Sequence, residues 1–111
     1  MILPVPPRIA PFFFNKDLSE GVRAQVSCVV EKGDPPITLT WLKDSEPLTT
    51  EDLQIVKIDS HSSTIIVKEV TAYHSGNYTC RAMNEVASVE HTAQLVVSGK
   101  VLVPDLRLPT A

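Results

Sequence analysis

The stretch Ser75-Gly76-Asn77-Tyr78-Thr79-Cys80 decides the fold, because it places a tyrosine two residues before a cysteine. The other cysteine, Cys28, lies 52 positions earlier, and Trp41, the only tryptophan of the chain, lies between the two. A tryptophan between two distant cysteines, with a tyrosine just before the second, is the core signature of an all-β sandwich of two sheets. The series therefore predicts that these four residues lie together in the core of such a sandwich.

Length and composition indicate one globular domain. The chain has 111 residues, of which 43% are apolar, and this is enough for one two-layer core but not for two. A net charge of −3 and a pI near 5.5, with ten basic residues spread singly, exclude a nucleic-acid-binding surface. Two cysteines at this separation suit one disulfide, which implies an oxidising compartment and contributes roughly 4 kcal/mol in the chain-entropy description.

The two ends of the chain differ from its middle. Residues 1–5 run straight into a pair of prolines, so they hold no apolar signal-peptide core and are expected to form an N-terminal extension. Residues 98–111 are interrupted by prolines and charges and fall far short of the roughly 20 apolar residues of a membrane span. We expect this tail to be a mobile linker, a fragment of a neighbouring domain or sequence added for expression, which leaves residues 6–97 as the domain.

Short runs of alternating apolar and polar residues, separated by turn residues, fill the middle of the chain. This pattern predicts β-strands and not helices. In residues 23–30 the even-numbered positions are apolar and are expected to point inward, as are Leu53 and Ile55 in a later run. Between those two runs, Leu39 and Trp41 share a parity on a further predicted strand, and Glu46-Pro47 is expected to end regular pairing after it. The remaining predicted strands are residues 53–58, 63–68, 76–84 and 86–97.

Residues 6–97 carry further motifs besides the cysteine and tryptophan series. They are Pro6-Pro7, Glu20-Gly21, the Ile65, Val67 and Val70 spacing, and Ala82-x-Asn84. With the opening series, these motifs resemble the immunoglobulin I-set family. The resemblance implies two antiparallel sheets, A-B-E-D and A′-G-F-C in the family's strand letters, joined by a disulfide between Cys28 on strand B and Cys80 on strand F. It also implies that Trp41 packs on this disulfide and that Tyr78 closes the corner between strands E and F.

Three segments indicate which members of the I-set family this sequence resembles most. They are Pro7-Arg8-Ile9-Ala10-Pro11-Phe12, Tyr73-His74-Ser75-Gly76 and Ala87-Ser88-Val89. They resemble the Dscam cell adhesion receptors, in particular the variable seventh domain of arthropod Dscam and the first domain of chelicerate Dscam. His74 and Ala87, which replace an ion-pairing aspartate and a turn glycine of most I-set domains, fit the same subset. The resemblance implies homophilic cell–cell adhesion in the extracellular part of a single-pass receptor, with other immunoglobulin domains in the chain and membrane contact only through the parent receptor.

One predicted sheet face carries more apolar residues than a solvent-facing surface needs. Ile65-Ile66-Val67 is apolar on both sides of its strand, so Ile66 is expected to point to solvent if its neighbours fill the core. Val29, Val56 and Ile58 take the same outward parity on neighbouring strands. We expect one apolar patch with a polar rim, on which a second copy packs antiparallel about a two-fold axis. The expected interface residues are Val29, Gln54, Val56, Ile58, Thr64, Ile66 and Lys68, and Lys57 and Asp59 are expected to complete the rim.

Two other functions remain open. A heterophilic receptor domain would bind a different protein through its loops or through the C-F-G sheet, on which Ile37, Leu42 and Met83 are expected to point outward. A structural spacer of the muscle-filament kind would keep its cysteines reduced inside the cell. The N-glycosylation acceptor Asn77-Tyr78-Thr79 argues against the spacer, and its asparagine and threonine are expected to be exposed on strand F. A glycan there would leave the A-B-E-D sheet free for a partner.

The segment Phe12-Phe13-Phe14 is unusual, because three consecutive aromatic residues cannot all face one core. We expect two of them to close the bottom of the sandwich and at least one to be exposed. Prolines in the same part of the chain, at positions 6, 7 and 11, remove backbone donors from an edge strand. This favours association through a sheet face over pairing through a sheet edge.

The sequence shows no catalytic or metal-binding pattern. The histidines, at positions 61, 74 and 91, have no ligand-like spacing, and the acidic loop residues match no calcium-binding template. Both cysteines are assigned to the disulfide, and no nucleophile turn such as Gly-x-Ser-x-Gly is present. We therefore expect no enzyme activity, no cofactor and no bound metal.

Overall fold

A computed structural model of the chain describes residues 3–98 except residue 52. Within this part the strands are β1 (Arg8–Ile9), β2 (Ala24–Lys32), β3 (Thr38–Lys43), β4 (Glu46–Pro47), β5 (Gln54–Asp59), β6 (Ser62–Val67), β7 (Gly76–Met83) and β8 (Ser88–Leu95), and a 3-10 turn spans Ala72–His74. They form two antiparallel sheets with the orders β1-β2-β6-β5 and β4-β3-β7-β8. The core lies between these sheets, so the predicted all-β sandwich is confirmed.

Strand β2 alternates buried and exposed residues from its first residue to Val30, as the sequence predicted. It pairs with β6, whose Ile65 and Val67 are buried in the same core. Because the side chains of a strand alternate between two faces, this register leaves Ile66 on the other face, directly opposite Gln25 of β2. The first sheet thus separates core residues from a solvent-facing set.

The predicted core series is confirmed. The two cysteines form a disulfide between β2 and β7, with a distance of 2.03 Å between their Sγ atoms. Trp41 lies opposite Cys80 in the register of β3 and β7, is buried, and donates a hydrogen bond from Nε1 to Ser63 Oγ at 3.0 Å. The Tyr78 hydroxyl donates to the backbone oxygen of His74 at 2.6 Å. The disulfide and these hydrogen bonds therefore join the two sheets and the corner between β6 and β7 in one core.

His74 supports the turn at this corner. Its side chain is buried, and its Nδ1 atom accepts a hydrogen bond from the backbone N–H of Thr71 at 2.9 Å. The Thr71 side chain in turn accepts from the backbone N–H of Tyr73, so the two residues form a capping box. His74 stands where most I-set domains are expected to carry an ion-pairing aspartate. Its ring nitrogen supports the corner by a hydrogen bond.

One edge of the second sheet differs from the prediction. Glu46–Pro47 pairs as β4 with Leu42 and Lys43 of β3, so the expected end of pairing at this point is wrong. The reason is local, because Asp44 and Ser45 adopt positive φ angles of 51° and 70° and fold the chain into a two-residue hairpin turn. The proline is tolerated because β4 lies at the edge of the sheet.

The opposite edge carries the segment expected to form strand A′. Within the described residues, this strand is present as a single parallel bridge between Leu18 and Val97. Before the bridge, the Nε2 atom of His91 lies 2.8 Å from the backbone oxygen of Phe12 and holds the segment against β8. Phe12 is buried, the third phenylalanine is half-buried, and Phe13 is 73% exposed. The expectation that at least one of the three is exposed is therefore confirmed.

Asn84 ties three segments together at the end of the sandwich where the described chain begins. Its Nδ2 atom donates to the backbone oxygens of Val5 at 2.8 Å and Asp34 at 3.1 Å. Its Oδ1 atom accepts from the backbone N–H groups of Val86 at 3.0 Å and Ala87 at 3.2 Å. The Asn84 side chain therefore supports the turn between β7 and β8. Ala87 lies in this turn where most I-set domains are expected to carry a glycine.

Candidate interaction face

The outer face of the β1-β2-β6-β5 sheet presents three rows of side chains that cross β2, β6 and β5. The first row is Gln25, Ile66 and Gln54; the middle row is Ser27, Thr64 and Val56; the third row is Val29, Ser62 and Asp59, with Ile58 in the bulge before Asp59. Lys68 follows directly after β6 at the end nearest the first row. The register thus brings all seven predicted interface residues to this outer face, and it agrees with the outward parity expected for residues 53–58.

The apolar members of the outer face are accessible but separated. Ile58 is 60% exposed, Val29 41% and Val56 37%, while Ile66 is half-buried and belongs to neither core cluster. Hydroxyl and amide side chains are interleaved with them, because Ile66 lies opposite a glutamine on each neighbouring strand. The continuous apolar patch that the sequence predicted is therefore replaced by alternating apolar and polar positions.

Two residues expected on the rim lie elsewhere. Thr64 occupies the middle of the outer face and is only 8% exposed, because β6 lies between β2 and β5 and its hydroxyl lies 2.7 Å from that of Ser27. Lys57 pairs with the buried Ser63, so it has inward parity and lines a cleft between the sheets. Both positions follow from the pairing register and correct the prediction.

Strand β5 forms an edge of this sheet, and two features hinder its pairing with another strand. Ile55, expected in the core, is 38% exposed because it faces a cleft of about 450 Å³ that opens between β3 and β5. Lys57 lines the same cleft, and the pairing with β6 shifts between Lys57 and Asp59. An inward charge and a bulge are devices by which edge strands avoid pairing with another chain. The outer face is thus more suited to a partner than this edge.

The first-row end of the outer face carries charged groups of both signs. Arg23 precedes β2, and its Nε–H donates to the side-chain oxygen of Gln25 at 3.1 Å. Lys68 lies near Gln54 and Ile66, with which it lines a shallow groove. Glu51 and Glu69 line the same groove, so cationic and anionic groups both flank the row that contains Ile66.

The third-row end carries acidic groups. The Asp59 carboxylate accepts hydrogen bonds from the backbone N–H of His61 at 2.8 Å and from the Ser62 hydroxyl at 3.2 Å. The His61 hydrogen bond is the main reason that the pKa of Asp59 lies below its usual value. Glu31 lies further along β2, with its Oε1 atom 3.5 Å from Arg8 Nε. Acidic and basic side chains thus occur together at this end of the outer face as well.

The opposite sheet offers less apolar surface than the sequence predicted. Ile37 is buried in a core cluster, so its expected outward direction is wrong, and it shares the odd-numbered parity of Trp41. Leu42 lies outside both core clusters but is buried beside Pro47, on the strand that the sequence did not predict. Of the three residues expected to favour this sheet, only Met83 is exposed, at 42%.

The glycosylation acceptor lies at the start of β7, in the sheet opposite the outer face. Asn77 is exposed, and its backbone N–H donates to the Asp44 carboxylate at 2.9 Å. Thr79, expected to be exposed, is buried, and its hydroxyl lies 2.7 Å from that of Thr92. Asn77 is therefore exposed in the folded domain, whereas the Thr79 hydroxyl is engaged with Thr92.

Other groups with perturbed chemistry have structural roles. Burial raises the pKa of Tyr78 to about 12, with a contribution from the nearby negative charge of Asp44, and the hydroxyl is engaged at the corner described above.

Among residues 3–51 and 53–98, no three His, Cys, Asp or Glu side chains are grouped to hold a metal ion. No helix in the same part of the chain has the length and apolar character to cross a membrane. The predicted tail, apart from residue 98, lies outside the described residues.

The fold and the residue pattern agree with a known family. The family model described as Immunoglobulin I-set domain matches residues 7–97. The chain therefore belongs to the immunoglobulin I-set family, and as a member of this family it is a non-enzymatic domain. It is 45% identical over 96 residues to Cell adhesion molecule Dscam2 of Drosophila melanogaster and 46% identical over 94 residues to Cell adhesion molecule DSCAM of Homo sapiens. Each alignment covers 84% of this chain, which spans 4% and 5% of the length of these relatives.

Solved structures support the same relationship. The crystal structure of the Dscam1 Ig7 domain, isoform 5, is similar with a TM-score of 0.80 and 38% identity, covering 84% of this chain and 97% of that one. The titin fragment I67-I69 is similar with a TM-score of 0.75 and 29% identity, covering 86% of this chain and 33% of that one. The predicted resemblance to Dscam domains is therefore confirmed.

Proposed function

We propose that this chain is a homophilic adhesion domain that binds a second copy of itself through the outer face. The observation that carries the proposal is the position of Ile66, outside the core and on the same solvent-facing side as Val29, Val56 and Ile58. The relatives described above are cell adhesion molecules, which supports this class of function. Extracellular placement, in the ectodomain of a cell-surface receptor with further immunoglobulin domains, is part of the proposal and is supported by the disulfide.

The composition of the outer face suits a weak to moderate contact. Full burial of a valine or isoleucine side chain contributes about 1.5–3 kcal/mol, but association costs several kcal/mol in lost motion. The interleaved hydroxyl and amide groups also lose water when they are covered. We therefore expect a dissociation constant in the micromolar range. A two-fold axis places identical residues on both sides, so one substitution alters the contact twice.

Sedimentation equilibrium over a range of concentrations tests this proposal. The unmodified chain is expected to dimerise, and Ile66→Asp is expected to be a folded monomer. Met83→Asp is the matched control, because it places the same charge at an exposed apolar position of the other sheet. Loss of the dimer in Met83→Asp alone would assign binding to the C-F-G sheet. A chain that stays monomeric at high micromolar concentration would favour a heterophilic receptor domain or a spacer.

We further propose that Asn77 carries an N-linked glycan when the chain passes through a eukaryotic secretory pathway. Its side chain is exposed, and it lies on the sheet opposite the outer face, so a glycan there would leave the proposed contact open. Asn77→Gln is expected to remove a glycosidase-sensitive increase in mass. Thr79→Ser is the matched control, because Asn-x-Ser is still an acceptor. An identical mass for the unmodified chain and Asn77→Gln would contradict this proposal.

The domain limits of residues 6–97 remain a proposal as well. Val5, assigned to the extension, is hydrogen-bonded to Asp34 in both directions, with distances of 2.8 Å and 3.0 Å. This contact supports an ordered approach to the first strand. For residues 98–111 we propose a linker role; limited proteolysis that spares this segment would contradict it.

A further inference from the structure

We propose that the cleft between β3 and β5 is a binding site for a small monocarboxylate with an aromatic or branched apolar body. The carboxylate accepts hydrogen bonds from Lys57 Nζ and from the Ser63 hydroxyl, and the apolar body lies against Leu39 and Ile55. Ile55 and Lys57 pair with the buried residues Ile65 and Ser63, so both have inward parity. The site is therefore separate from the outer face and does not depend on self-association.

The cleft exists because the two sheets are not closed on this side. Strand β4 has only two residues and pairs with Leu42 and Lys43. In residues 3–51 and 53–98, the first three residues of β3 therefore have no strand beside them on the side away from β7. The opening has a volume of about 450 Å³, which lies within the range of pockets that hold small organic ligands.

The walls of the cleft are largely apolar. Ile55 is 38% exposed despite its inward parity, and Leu39 and Leu48 are half-buried beside the same opening. Trp41, which is buried, also lines the cleft. Apolar surface that the protein leaves open to water is stabilised by contact with an apolar ligand. The walls therefore suit the hydrocarbon part of the proposed ligand.

Two neighbouring hydrogen-bond donors give the cleft its preference for a carboxylate. Lys57 and Ser63 are direct partners in the register of β5 and β6, so their side chains are neighbours on the inner face. The Ser63 oxygen accepts from Trp41 Nε1 at 3.0 Å, and its own O–H group remains to donate, although Ser63 is only 5% exposed. Neither this O–H group nor the Lys57 ammonium has an acceptor in the part of the chain that the structure describes. Because a buried donor without an acceptor costs free energy, a ligand that supplies one is favoured.

Asp59 is the negative charge that a bound carboxylate would meet, since it lines the same cleft. Its carboxylate already accepts hydrogen bonds from the backbone N–H of His61 and from the hydroxyl of Ser62. The two ion pairs among the described residues involve neither Asp59 nor Lys57. Asp59 therefore weakens the binding of an anion but leaves both donors available to it.

Phenylacetate is the probe that tests this site, and phenylacetamide is its uncharged match. Trp41 is the only tryptophan of the chain and lines the cleft, so its fluorescence reports occupation of the site. Phenylacetate is expected to change this emission saturably, with a dissociation constant in the millimolar range because the ligand has few atoms. It is also expected to raise the unfolding midpoint. Phenylacetamide is expected to bind about fivefold more weakly, because a neutral acceptor forms a weaker hydrogen bond with an ammonium group.

Three variants show whether the binding depends on the named groups. Lys57→Met keeps most of the apolar stem and removes the charge, so it is expected to bind phenylacetate about fivefold more weakly and to bind phenylacetamide like the unmodified chain. Lys68→Met is the matched control, because Lys68 lines a groove at the outer face and not this cleft, and it is expected to bind both probes normally. Asp59→Asn is expected to bind phenylacetate about threefold more tightly, because it removes the like charge.

Several results would overturn the proposal. One is a change in emission that does not saturate, and another is no response of either the emission or the unfolding midpoint. Equal affinity of the unmodified chain and Lys57→Met for phenylacetate would also overturn it, as would an equal loss in Lys57→Met and Lys68→Met. None of these results affects the proposed self-association, which is measured without either probe.

Discussion

The hydroxyl of Tyr78 makes the stability of this domain sensitive to alkaline pH. Burial raises the pKa of this group from 10.0 to about 12 in the folded chain. Between these values the unfolded chain releases the phenolic proton while the folded chain retains it, so the unfolded state is favoured as pH rises. The stabilising contribution is fully present below pH 10 and is lost progressively towards pH 12. A difference of two pKa units corresponds to about 3 kcal/mol in the free energy of unfolding.

Tyr78→Phe separates this effect from the ionisation of other groups. Near neutral pH the variant loses the 2.6 Å hydrogen bond to His74 and leaves a buried carbonyl oxygen without that donor, which costs about 1–2 kcal/mol. It also has no proton to release at this position, so its stability declines less between pH 10 and 12. The unfolding free energies of the two proteins are therefore expected to converge near about pH 11.

Urea unfolding at several values between pH 8 and 11.5, followed by tryptophan fluorescence, measures this convergence. Tyr73→Phe is the matched control, because Tyr73 is the only other tyrosine and its side chain is 87% exposed. It is expected to follow the unmodified chain across the whole range. A constant difference between Tyr78→Phe and the unmodified chain up to pH 11.5 would refute the argument from burial.

Two further predictions concern the loops at the end where the described chain begins. Gly33→Ala is expected to destabilise the domain by about 2–4 kcal/mol, because φ is +141° and an added Cβ would lie 2.9 Å from the backbone Cα of Pro7. The control is Gly21→Ala, which has a φ of +94° but no atom within 4 Å of the added Cβ and is expected to cost about 1–2 kcal/mol. Equal unfolding midpoints for the two variants would contradict this prediction. Asn84→Ala is expected to cost about 1–3 kcal/mol and to speed amide exchange at Val86, whereas unchanged exchange there would show that the turn holds without this side chain.

The parts of this fold that depend on strand periodicity were predictable from sequence. In β2 the alternation is strict, so parity alone assigns each residue to the core or to the outer face. The resemblance to I-set domains implied the corner contact of Tyr78, whose hydroxyl donates to the backbone oxygen of His74.

The parts that failed depend on the positions of neighbouring strands. The turn at Asp44 and Ser45 has no glycine to signal its positive φ angles, so β4 was missed, and with it the burial of Leu42. The partial exposure of Ile55 was equally hidden, because parity does not show whether another strand covers the inward side of an edge strand. Local pattern determines direction, whereas burial depends on what lies opposite.

The Asn84 contacts have a mechanical consequence. Because Val5 is held by both Asn84 and Asp34, the polypeptide reaches the first strand along a fixed path. Any module joined upstream would therefore be attached to this domain at Val5, with the loop end of the domain as its fixed base. A pulling force applied from that side would load these few hydrogen bonds before it reached the disulfide-linked core. Asn84 would therefore act as the anchor of the N-terminal segment.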